Sequence, residues 1–175
     1  MVDITMQELL EAGVPVFSHQ VQYSVLDRRP ENGMVEFCRQ RGIALLCYGT
    51  VAGGFLSERY LDAADPAALE NRSLVKYRLI IDEFGGWARF QRLLRAAAAV
   101  AQRHQTSIGA VAIAWVLAQP HVAGVIVGAR DARHLPQTVA AAGLGLDGDD
   151  LQTLQAVLDE GSGVAGDVYE LERVK

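Results

Sequence analysis

Apolar positions recur along this chain with two different periods. Met6, Leu9 and Leu10 share one face of a helix, and Gly13 stands where a helix C-cap is expected. Val14 to Tyr23, entered through Pro15 and rich in Val, Phe and Tyr, reads as a strand. A polar turn over residues 26–30 leads to a helix over residues 31 to 41, stopped by Gly42, and then to a strand from Ile43 to Tyr48. Residues 57 to 73 are a long polar connection, and Leu74 to Ile81 a short helix broken at Gly85-Gly86. Phe90, Leu93, Leu94, Ala97 and Ala101 return at helical spacing, as do Ile108, Val111, Ala112 and Trp115, with Thr106 or Ser107 as cap and Pro120 as the stop. Val122 to Val127 is a third strand, followed by a helix from about Asp131 to Ala142. Asp147 caps a last helix that carries Leu151, Leu154 and Leu158 and closes at Gly161.

Alternation of helix and strand predicts an α/β fold with a parallel sheet, in one domain over residues 1–175 with a polar tail from 163 to 175. The apolar run from Ile43 to Cys47 has no polar alternation, which suits a parallel strand covered on both faces.

Composition narrows the function classes. At 175 residues, half of them hydrophobic and 21% charged, the chain can bury a sizeable core. A net charge of −5 without clustered Lys or Arg argues against nucleic acid as a partner. No apolar run approaches the roughly 20 residues of a membrane helix, and the start of the chain has no signal-like leader, so a cytoplasmic protein is expected. Cys38 and Cys47 fall on a helix and a strand as buried, reduced thiols, and the four scattered histidines offer no zinc spacing.

Candidate chemistry gathers after the strands. Tyr48 closes the second strand and opens into Gly49-Thr50-Val51-Ala52-Gly53-Gly54. At the C-terminal end of a parallel strand, where α/β proteins place ligands, its ring can stack on a nicotinamide; the alternative is a core tyrosine with its hydroxyl satisfied. The small residues after it leave backbone N–H groups for phosphate. Val127-Gly128-Ala129-Arg130 repeats the pattern after the third strand, with a cation beside a helix N-terminus. Gln20 on the first strand could bond a carboxamide or stand as a rim residue. The carboxylate pairs Asp82-Glu83 and Asp149-Asp150 read as solvated faces or caps, and Trp87 and Trp115 as core. No nucleophile elbow is present.

These stretches resemble the C-terminal portion of the aldo-keto reductase family. The resemblance rests on Ser18-His19-Gln20-Val21-Gln22-Tyr23-Ser24, on Tyr48 through Tyr60, on Gly85-Gly86-Trp87 with Phe90-Gln91, on Ile126 to Arg130, and on Gly166 to Arg173 in the tail. It implies a partial (β/α)₈ TIM barrel made of about the last three strands with their helices, and hydride transfer between NADP or NAD and a carbonyl or alcohol. By resemblance, Gln20 bonds the nicotinamide carboxamide and Tyr48 stacks beneath the ring. Gly49, Val51 and Gly53 line the diphosphate, Arg59 reaches a phosphate, and Gly128, Arg130, His134, Gln137 and Thr138 hold the adenosine end. The family often has Gln, Glu and Asn where His134, Gln137 and Thr138 stand, and Asn where His19 stands, so NADP and NAD both remain open.

The family's catalytic Asp, Tyr, Lys and His come from early strands, before the resemblance begins. The chain is therefore expected to carry the cofactor's half of the site, without turnover on its own, and to self-associate or pair with a complementary barrel fragment. The alternatives are a non-catalytic nucleotide-binding or interaction module on a remnant barrel, or a new hydrolytic activity.

Overall fold

The computed structural model describes residues 4–128, 132, 135–161 and 163–166. Three strands, β1 (Ser18–Gln22), β2 (Ala44–Tyr48) and β3 (Val122–Ile126), pair in parallel in the order β1-β2-β3. Parallel neighbours need long crossovers. Helix α2 (Met34–Arg41) makes the first; α3 (Arg72–Phe84), α4 (Gly86–Arg103) and α5 (Ile108–Leu117) make the second. Helix α1 (Ile4–Glu11) precedes the sheet, and α6 (Leu135–Ala140) and α7 (Gly148–Leu158) follow it. Residues 163–166 are the described part of the predicted tail.

Most predicted elements are present, with local differences. The first strand begins at Ser18 rather than Val14, because β2 offers no partner before Ala44: Gly42 ends α2 immediately upstream. Helix α3 is longer than predicted, since the Asn71 side chain caps it by accepting from the Leu74 N–H at 3.0 Å. Ser107 caps α5, accepting from Ala110, and Asp147 forms a capping box with Asp150 at the start of α7. The connection over residues 57–73 is anchored: the Gln91 amide donates to the Tyr60 carbonyl and accepts from the Asp62 N–H, both at 2.7 Å, and the Trp87 indole donates to Ala63.

Among the described residues one face of the sheet is covered throughout and the other only at Gln22, which is buried. Along β2, Leu45 and Cys47 are fully buried while Ala44, Leu46 and Tyr48 stay partly exposed. The register aligns Gln20 with Leu46, and Tyr48 with Ile126, which is 43% exposed. Residues in register share a face, so Gln20, Leu46, Tyr48 and Ile126 lie on the open side. The helices pack on the other, where Leu45, Cys47 and Val21 meet Phe55, Phe90, Val111 and Trp115 in the core. Eight of the ten residues of α5 are buried, which explains its apolar circumference. Arg89 in α4 joins the layer's ends: its guanidinium donates to the carbonyls of Phe84 at the end of α3 and of Leu158 (2.8 Å) at the end of α7. Burial holds its pKa below the ordinary arginine value.

Candidate active site

Tyr48 ends β2 in register with Gln22 on one side and Ile126 on the other. The chain then turns tightly: the N–H of Ala52 donates to the Gly49 carbonyl at 2.8 Å, and that of Gly54 to Val51 at 2.9 Å. Gly49 and Gly53 take left-handed φ values of +72° and +66°. Both are pressed by Tyr77 of α3. A Cβ at Gly49 would stand 2.6 Å from the Tyr77 Oη, and one at Gly53 2.8 Å from its ring. Glycine is thus required at both positions by backbone conformation and by a neighbour.

Two grooves meet over this turn at the C-terminal ends of β2 and β3. One, of about 660 Å³, is lined by Gly49, Thr50, Val51, Gly53, Arg59, Tyr77 and Gly128 among others. The second, of about 500 Å³, runs past Val51, Arg59 and Gly128 to the start of α5 and to Gln137 and Thr138 of α6. The two grooves share the walls formed by Val51, Gly54, Arg59 and Gly128. Seven of the predicted cofactor residues line one or both: Gly49 and Gly53 the first, Gln137 and Thr138 the second, and Val51, Arg59 and Gly128 both. Tyr48 and Gln20 line neither groove; they lie on the open sheet face, Gln20 exposed and Tyr48 half-buried. Arg130 and His134 fall outside the described residues.

Charges around the two grooves are largely paired. Arg59 donates to Glu70 at 3.0 Å, and that hydrogen bond raises its pKa. The Glu58 carboxylate accepts from the Ile108 N–H at 2.7 Å, so the first turn of α5 already has an anion. Lys76 places its ammonium 5.5 Å from the centre of the Tyr48 ring and 5.8 Å from that of Tyr77. Below the turn lies a buried polar network: Asp27 accepts from the Gln22 amide at 2.6 Å and from the Arg29 guanidinium at 2.8 and 2.6 Å. Burial disfavours the Arg29 charge, but the hydrogen bonds and the charge of Asp27 outweigh it and raise its pKa.

Two buried side-chain atoms here have no hydrogen-bond partner among the described residues, Gln22 Oε1 and Thr50 Oγ1. An extended ligand with an anionic middle fits this set: a turn open at Gly54, where nothing lies within 4 Å of an added Cβ, a cation held by an exposed and releasable carboxylate, and polar side chains at the far end. Glu70 and Tyr77 have no counterpart among the sequence-predicted residues. Asn71 could have been found, since an Asn before an apolar periodic run marks a cap; Tyr77 reads only as an apolar helix position.

The sequence pattern of the Aldo/keto reductase family matches residues 3–159. The chain is similar to Protein tas of Escherichia coli, 30% identical over 138 residues that cover 79% of this chain and 38% of that protein. It is also similar to an aldo-keto reductase of Babesia bovis, 31% identical over 134 residues, covering 74% of this chain and 46% of that one. Among solved structures, an aldo-keto reductase from Bacillus halodurans in its holo form superposes with a TM-score of 0.64 at 23% identity, covering 98% of this chain and 51% of its own. A glycerol dehydrogenase from Gluconobacter oxydans gives 0.71 at 16% identity, over 88% and 46%. At those identities the structures speak for a shared α/β fold. The chain spans about half or less of the length of the proteins it matches.

Proposed function

The chain belongs to the aldo/keto reductase family, and on that footing we propose that it supplies the NAD(P)-binding half of an oxidoreductase site for carbonyl–alcohol hydride transfer. The two adjoining grooves over the Gly49–Gly54 turn carry this reading, because they gather residues from three separate parts of the sequence at the strand ends. In them, Gly49, Val51 and Gly53 receive the diphosphate, and Arg59 exchanges Glu70 for a phosphate oxygen. Gly128, Arg130, His134, Gln137 and Thr138 take the adenosine end. Tyr48 supports the nicotinamide from below and Gln20 orients its carboxamide. When bound, the dinucleotide supplies the hydride exchanged with the carbonyl carbon.

The proton donor for the carbonyl oxygen, in this reading, comes from residues beyond this sequence, as do the loops that would select a substrate. A complementary barrel fragment, or a second copy of the chain, covers the open sheet face that carries Gln20 and Tyr48.

Titration of the chain with NADPH and NADH, followed by nucleotide fluorescence, tests the binding half. Saturable binding that weakens in Arg59→Ala is expected; no binding of either nucleotide would refute it. Aldehyde reduction at ordinary enzymatic rates by this chain alone would refute the division of the site.

A further inference from the structure

Glu58 is exposed and lines the second groove together with Gln137 and Thr138, but it is not a loose surface carboxylate. Its Oε1 accepts from the Ile108 N–H at 2.7 Å, in the first turn of α5. Ile108 is only 1% exposed, so a Glu58 that swung aside would leave a buried N–H without this partner. The neighbouring cap is taken as well, since Ser107 Oγ accepts from the Ala110 N–H at 3.2 Å. A helix end that would otherwise favour an incoming anion is thus filled by the chain's own oxygens. Among the described residues, the charged side chains lining this groove are Glu58 and Arg59, and Arg59 donates to Glu70 at 3.0 Å. The groove therefore carries a held negative charge beside the neutral side chains of Gln137 and Thr138.

We propose that Glu58 decides which dinucleotide the site takes, favouring NAD(H), with its ribose 2′-hydroxyl, over NADP(H), with its 2′-phosphate. The inference rests on the function proposed above and names the cofactor which that reading leaves open. An ionised carboxylate only accepts hydrogen bonds, and a ribose hydroxyl can donate to it. Acidic side chains serve the same purpose at the ribose in other α/β dinucleotide sites. A 2′-phosphate brings a charge of about −1.5 to −2 at pH 7, and against a carboxylate that charge is repelled. Glu70 can release Arg59 to solvent at little cost, whereas Glu58 leaves its place only by giving up the bond to α5.

Fluorescence titration of the full chain with NADH and with NADPH, wild type against Glu58→Gln, tests this. Glutamine keeps an oxygen for the Ile108 N–H, removes the charge, and leaves Arg130 and His134 in place. Wild type is expected to bind NADH about tenfold more tightly than NADPH. Glu58→Gln is expected to remove most of that ratio, chiefly by tighter binding of NADPH. Raising salt to about 1 M should shrink the wild-type ratio and change that of the variant little. Tighter binding of NADPH by wild type, or a ratio that Glu58→Gln leaves unchanged, would overturn the role of Glu58 and leave the dinucleotide reading standing. An equal loss of affinity for both nucleotides in Glu58→Gln would make the carboxylate a cap of α5 and nothing more, and would also overturn it. Binding of neither nucleotide would remove both readings.

Discussion

Asp150, wholly buried at the start of α7, accepts two hydrogen bonds at 3.0 and 2.5 Å from Arg103 near the end of α4. Its other oxygen lies 2.5 Å from His104 Nε2 and also accepts from the Asp147 N–H. Burial pushes the carboxyl pKa up, but the hydrogen bonds from Arg103, His104 and Asp147 outweigh it and hold the group down at about 2. A depressed carboxyl stabilises the folded chain above its unfolded value, near 3.8, and that contribution is lost as pH falls from there through about 2. Thermal midpoints measured from pH 6 to pH 2 should fall more steeply between pH 4 and pH 2 in the wild type than in Asp150→Asn. At pH 7 Asp150→Ala should be less stable by about 2 kcal/mol, since it removes the capping box and the α4–α7 link together.

The packing of Tyr77 on the glycine turn predicts a coupled pair. Gly49→Ala would put a methyl group 2.6 Å from the Tyr77 hydroxyl at a φ of +72°, and should lower stability by about 2 kcal/mol. Adding Tyr77→Phe removes the nearest atom and should recover part of the loss. Denaturant titration of the two single variants and the double variant gives the coupling energy; strict additivity would contradict the contact.

Arg59 and Glu70 are 65% and 62% exposed at the side chain, so their ion pair adds little to stability. Its consequence is for binding. Glu70→Gln should leave the unfolding free energy within about 0.5 kcal/mol of wild type and strengthen NADPH binding several-fold at low salt. The gain should shrink at about 1 M salt, where the screening length falls to roughly 3 Å.

Both thiols should be unreactive in the folded protein. Burial pushes Cys38 up to about 11, moderated by the Arg41 charge, and Cys47 up to about 12. A disulfide reagent at pH 8 should modify neither on the timescale on which it labels both after denaturation. Rapid labelling of Cys47 in native protein would mean that the covered face of the sheet opens readily.

The elements that could be read from the sequence are those decided locally. Helix α5 announces itself by an apolar run behind Ser107, α7 by Asp147 and its leucines, and β3 by the small apolar residues after Pro120. The start of β1 could not be read, because it depends on where β2 begins on the other side of α2. Coverage of the sheet differs from the expectation for a similar reason: an apolar run records what a strand tolerates, not what the described residues pack against it. The site divides along the same line. Residues directly after a strand are placed by topology, so Gly49, Val51, Gly53 and Gly128 were visible. Tyr77, Glu70 and the orphan hydroxyl of Thr50 depend on contacts across the fold and leave no local mark.

The outer strands of the sheet are Ser18-His19-Gln20-Val21-Gln22 and Val122-Ala123-Gly124-Val125-Ile126. Neither contains a proline, a lysine or a carboxylate, the devices by which proteins keep an edge from recruiting stray strands. Margins so unguarded make recovery of the protein sensitive to its own concentration, and refolding at high dilution should return more of it than refolding at high concentration.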